Sequence, residues 1–263
     1  MVGKKIKLLV CIIVSSYFCF AKSINIRIAE NNSAIRIMKS LYSSYDSKKK
    51  GSVWICNDTA MLHQYKINNK IEFLSKILSC DSLLHDGIKT YYSVISSVPN
   101  DDEYQCHECG AIEEFVVFNT ERDNLKLVYK NQFAKWGSWG GGPIFNVTKV
   151  GDKFLYLFKP GTTFSGTTVE NIMIYSFYNS LFKKLLFIKE AAKDNEGDCD
   201  KKIPGSCYGY NYTINFADPS KEYSDIILNT KGTAKKSGKI VSMASSKVYH
   251  FNNGQYGLIY NKN

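Results

Sequence analysis

Catalytic signatures are scarce in this 263-residue chain. It has no Gly-x-Ser-x-Gly elbow, which excludes the strained, exposed serine nucleophile of the α/β-hydrolase arrangement. The glycine-rich stretch from Trp136 to Pro143 lacks a Gly-Lys-Ser/Thr ending and leads into no helical pattern, so it is not a phosphate loop. Only four histidines occur, His63, His85, His107 and His250. No His-x3-His or second Cys-x-x-Cys accompanies them, and a closed zinc site needs four ligands. Glu113 and Glu114 are adjacent in a strand-like context and therefore point to opposite faces, which excludes them as a glycosidase pair. Basic runs are short, with Lys48-Lys49-Lys50 the longest, and no nucleic-acid-binding motif goes with the charge. Nucleic acid is accordingly not an expected partner, and no cofactor is implied.

What is present begins with an export signal. Lys4, Lys5 and Lys7 form a positive leader, Leu8 to Phe20 is an apolar run of 13 residues, and Cys19-Phe20-Ala21 is a small-residue cleavage site. The run is shorter than the roughly 20 apolar residues that cross a bilayer. Residues 1–21 thus read as a signal peptide, and no later window is apolar enough to span a membrane. Losing the leader lysines takes the formal charge from +10 to +7. A basic exported protein meets anionic polymers, so an anionic glycan or an envelope protein is the expected partner.

The patterning divides the rest of the chain near Asp86. In residues 22–85 the expected structure is helical. Ser33 can cap a helix carrying Ile35, Met38, Leu41, Tyr42 and Tyr45, with Gly51 as its stop. A second helical pattern covers Ile71 to Leu84, with Ile71, Leu74, Ile77 and Leu78 on one face. Residues 86–263 read as short strands separated by turns. Gly151-Asp152, Tyr178-Asn179-Ser180 and Asn252-Asn253-Gly254 mark hairpins. Tyr208, Tyr210, Tyr212, Ile214 and Phe216 alternate with small or polar residues, which puts one face in a core and the other in water. The expected fold is mainly β, as an irregular sandwich, barrel or propeller-like set of sheets, with a short helical N-terminal part.

Six cysteines follow the leader, an even number suited to an oxidising compartment. Proximity in sequence suggests Cys56 with Cys80, Cys106 with Cys109, and Cys199 with Cys207. Cys106-His107-Glu108-Cys109 has two further readings, thiol exchange tuned by His107 or metal binding, beside the structural bridge. Trp136 and Trp139, set among glycines, are candidate contact residues for a sugar ring or a partner side chain. The alternative is that they pack into the sheet. Gly161 to Thr168 reads as a polar loop that could lie beside them.

The segment from Tyr104 to Gly166 resembles a group of uncharacterised exported bacterial proteins. The resemblance is carried by Cys106-His107-Glu108-Cys109, Gly137-Ser138-Trp139-Gly140 and the Gly- and Thr-rich stretch from Gly161 to Thr168. It implies an envelope or secreted location and transfers no mechanism. The ending, from Asp225 to Leu228 and from Tyr249 to Tyr256, looks like strands of propeller-like binding domains. The combined expectation is an exported, disulfide-bonded, non-catalytic binding or structural protein, periplasmic or secreted. The alternative is thiol-redox or metal-binding activity at Cys106 and Cys109.

Overall fold

The computed structural model describes residues 32–57, 62–63, 65, 70–100, 110–122, 124–136, 142–200, 202–203 and 205–262. The fold is mainly β, with the short helix α1 (Asn32–Tyr42) ahead of the strands. Ala34, Ile37 and Met38 form the buried stripe of α1. The helix stops well before Gly51. Ser43 turns left-handed (φ 62), and its N–H closes on the Lys39 carbonyl at 3.0 Å. The lysine run is then a tight turn in which the Asp46 carboxylate accepts the N–H groups of Lys48 and Lys49 at 2.8 and 3.1 Å.

The first sheet is an antiparallel meander in sequence order: β1 (Ser52–Cys56), β2 (Ile71–His85), β3 (Ile88–Pro99), β4 (Ala111–Glu121) and β5 (Asn124–Trp136). The helix expected over Ile71 to Leu84 is therefore strand β2. Its buried positions run Phe73, Ser75 and Ile77 on one face, and a register shift between Ile77 and Ser79 turns Ser79 and Asp81 to the other. Three of the five are polar, so the apolar residues alone give a false helical spacing. The division near Asp86 likewise falls inside one hairpin, whose turn is Asp86-Gly87 with both residues at positive φ.

The second sheet holds β6 (Ile144–Val150), β7 (Lys153–Lys159), β9 (Thr167–Tyr178), β10 (Leu181–Asp194), β11 (Gly209–Phe216), β12 (Ile226–Lys236), β13 (Lys239–Asn252) and β14 (Gln255–Lys262) in that order. Strand β8 (Gly161–Phe164) pairs alongside β9. The three expected hairpins form at Gly151-Asp152, Asn179-Ser180 and Asn253-Gly254. In the last two, both turn residues have positive φ, as two-residue turns matched to strand twist require. The sheet curls until β14 approaches β10. This encloses a core of Leu155, Ile172, Leu186, Ile226, Leu228 and Tyr249, on which Tyr212, Ile214 and Phe216 of β11 pack.

The layers are helix, sheet, sheet. Ile37 and Met38 of α1 cover Ile77, Ile95, Val116 and Phe118 on the outer face of the first sheet. Its other face brings Val94, Phe115 and Val117 against Tyr156, Phe158 and Phe182 of the second sheet. Burial on both sides explains the nearly continuous apolar run of β4. Aromatic rings dominate the seam. Phe115 and Phe182 stack with centroids 3.9 Å apart, and Phe133 meets Phe182 edge-on at 4.8 Å. Each such pair adds about 0.5–1.5 kcal/mol beyond the area it buries.

Candidate functional site

Strands β10 and β11 pair only at Lys193–Tyr210 and Asp194–Gly209, and then part. A bulge between Ile188 and Ala192, with Glu190 at φ 49, bends β10 away from β11. Two phenols bridge the gap where backbone pairing stops. Tyr210 donates to the Glu190 carbonyl at 3.3 Å, and Tyr212 donates to the Glu170 carboxylate. At the paired end lies an open groove of about 590 Å³, lined across four strands by Glu170 of β9, Asp194 of β10, Asn211 of β11 and Lys231 of β12, within the roughly 300–1,000 Å³ of ordinary ligand sites.

One wall of the groove is a covalently closed loop. Cys199 and Cys207 form the expected disulfide, and Cys207 lines the groove with Tyr208. Buried Asn195 clamps the loop. It accepts from the Tyr208 N–H at 2.7 Å and donates its amide to the Ser206 carbonyl at 3.0 Å. The stretch Gly161 to Thr168 is a hairpin of β8 and β9, and its tip leans on this loop. The Gly197 N–H reaches the Gly166 carbonyl at 3.1 Å, and Gly166 (φ +73) leaves no room there for a Cβ.

A second polar set lies in the seam between the sheets. Glu113 is fully buried; its Oε1 accepts from the Ser96 hydroxyl at 3.1 Å, and its Oε2 meets no partner among the described residues. Burial raises its pKa to about 7, opposed in part by Ser96. Asp81 is also buried and raised to about 6 by desolvation, with Ser79 opposing. The fully buried Tyr156 is held well above the usual tyrosine range, first by burial and then by the Asp81 charge. Glu114 faces the opposite side, where Tyr42 donates to it at 2.9 Å and Lys130 lies 3.2 Å away. The two adjacent glutamates thus point to opposite faces, as strand geometry requires.

Trp136 ends β5 half-buried, resting on Phe158 at 4.9 Å and Phe133 at 5.6 Å. Trp139, Cys106, His107 and Cys109 lie outside the described residues, as does the leader. Cys56 and Cys80 do not bridge. Cys56 is opposite Ile71 and Cys80 opposite Ser93, which separates them by nine residues of β2, about 30 Å. Among the described residues no cluster of three or more His, Cys, Asp or Glu could hold a metal, and no helix is long and apolar enough to cross a membrane.

Sequence reasoning missed the groove. Tyr208 and Tyr210 were visible as an alternating stripe, but Glu170 and Asp194 come from other strands and only sheet pairing gathers them. These features define an antiparallel two-sheet β protein with a disulfide-closed loop beside a polar groove. No protein-family model, curated protein or solved structure matches the chain.

Proposed function

We propose that this is an exported, non-catalytic binding protein of the bacterial envelope or exterior, and that its ligand lies in the groove between β10 and β11. The observation that carries the reading is the disulfide-closed loop forming a groove wall. A bridge between Cys199 and Cys207 suits an oxidising compartment. It also holds Tyr208 in place before any ligand arrives, and a preorganised wall lowers the ordering cost of binding. The basic surface would favour residence near anionic envelope polymers. Trp136, supported from below by Phe133 and Phe158, is offered with Trp139 as an accessory contact surface.

The test has two parts. Cell fractionation with N-terminal sequencing should find a mature chain starting at Lys22 outside the cytoplasm. Hydrogen exchange with an envelope extract should then protect β10 and β11 in the wild type and not in Tyr208→Ala/Tyr210→Ala. A cytoplasmic, uncleaved chain would sink the export half. Protection confined to other strands would sink the groove half.

A further inference from the structure

We infer that the groove takes a neutral, hydroxyl-rich saccharide chain, because tyrosine rings stand there among carboxylates, ammonium groups, an amide and threonine hydroxyls. This rests on the groove being the binding site proposed above.

The charge of the lining argues first. The chain carries a formal +10, yet the groove presents Glu170, Asp194 and Glu196 against Lys193 and Lys231. Positive charge is not concentrated here, and a sulfated or carboxylated polymer would meet three acids. A cationic ligand would meet two lysines. A neutral ligand meets neither penalty.

Hydrogen-bonding capacity argues next. Carboxylates only accept, ammonium groups only donate, and Asn211, Thr168 and Thr233 do both. Sugar hydroxyls donate and accept from the same atom, so a mixed lining can satisfy them. Tyr208, Tyr210 and Ala192 are among the lining residues. Flat rings suit the C–H face of a pyranose and offer little to an acyl chain.

An extended peptide adding to the open edge of β11 is the rival occupant. The Tyr210 phenol opposes it, because a strand entering between β11 and β10 would have to break its bond to the Glu190 carbonyl. A saccharide lying over the groove leaves that bond intact.

The experiment titrates the disulfide-intact exported protein with chitohexaose, cellohexaose, a heparin hexasaccharide and an alanine-rich decapeptide, read by hydrogen exchange and calorimetry. We expect a neutral hexasaccharide to bind and to protect β10 and β11. Tyr208→Ala and Asn211→Ala should each weaken it by about tenfold, equivalent to about 1.4 kcal/mol. Leu84→Ala, at an exposed position on β2 outside the groove, should leave it unchanged. Unaltered melting of each variant establishes that the fold survives. Binding by heparin or the decapeptide alone, no binding by any probe, or neutral binding indifferent to both groove variants would overturn the inference. If the sugars fail while an envelope extract still protects β10 and β11, the ligand class is wrong and the groove stands. If neither protects, both are wrong.

Discussion

The Tyr212 phenol donates to the Glu170 carboxylate across the line where β10 and β11 cease to pair. The bond ties β11 to β9 past β10, and its acceptor Glu170 lines the groove. The Lys159 ammonium lies 5.0 Å over the same ring, so the tyrosine joins a carboxylate to a cation. Tyr212→Phe keeps the ring and removes the donor. We expect it to cost about 1.5–3 kcal/mol, the range for a hydrogen bond to a charged group. Urea denaturation measures this, and an unchanged midpoint would mean the bond does not hold the strands.

The bridged loop supplies a second prediction. Cys199 and Cys207 are eight residues apart, and a loop of that size stabilises by roughly 2–3 kcal/mol in the chain-entropy account. Cys199→Ser/Cys207→Ser should lower stability by about that amount and raise hydrogen exchange at Tyr208. Equal exchange at Tyr208 in both proteins would show that the disulfide does not hold the wall.

The remaining cysteines separate the two functional readings. Burial raises the pKa of the Cys80 thiol, so it should react slowly with iodoacetamide in the native protein and fully after unfolding. The thiol alternative instead requires rapid native labelling, or a bound metal, at Cys106 or Cys109. Peptide mapping of unreduced, alkylated protein decides between them.

The seam carboxyls predict a pH dependence. The folded pKa values of Glu113 and Asp81, about 7 and about 6, exceed their ordinary values of 4.5 and 3.8. Between the ordinary and folded values the folded protein binds protons that the unfolded chain has released. The stability contributed by these two groups is therefore fully present below about pH 4, falls as pH rises, and is lost above about pH 7. Glu113→Gln keeps a group able to accept from Ser96 and removes the titration, so it should flatten the upper part of the fall. Asp81→Asn should flatten the lower part. Urea midpoints from pH 4 to 8 check both, and the same slope in all three proteins would falsify the assignment.

Two glycines with similar backbone angles should respond differently. A Cβ on Gly166 (φ +73) would lie 2.4 Å from the Gly197 carbonyl carbon, whereas one on Gly87 (φ +75) would have nothing within 4 Å. Gly87→Ala should cost only the left-handed penalty of about 1–2 kcal/mol. Gly166→Ala should cost more and disturb the groove wall. Thermal melts compare the two directly.

Most of the architecture was legible wherever the local pattern and the final environment agree. The hairpins at Asn179-Ser180 and Asn253-Gly254 were readable because residues tolerant of positive φ mark such turns. The alternation from Tyr212 to Phe216 was readable because one face of β11 is dry and the other wet. Strand β2 was not, because Ser75, Ser79 and Asp81 occupy buried positions that a hydrophobicity pattern counts as exposed. The β12–β13 hairpin at Ser237-Gly238 was also missed, since exposed lysines at Lys235, Lys236 and Lys239 conceal any period there.

The β character of the chain, most of its reversals and the Cys199–Cys207 loop all follow from residues within a few positions of one another. The groove, the Glu113 oxygen without a partner among the described residues, and the packing of Trp136 came only with the three-dimensional arrangement. Those depend on which distant strand lies alongside. A bulge between Ile188 and Ala192 interrupts β10 beside the groove, and Glu113 lies against Ser96 of β3 and Gly142 ahead of β6. Neither arrangement is encoded in the local alternation of apolar and polar residues, because both arise from contacts between segments far apart in the chain.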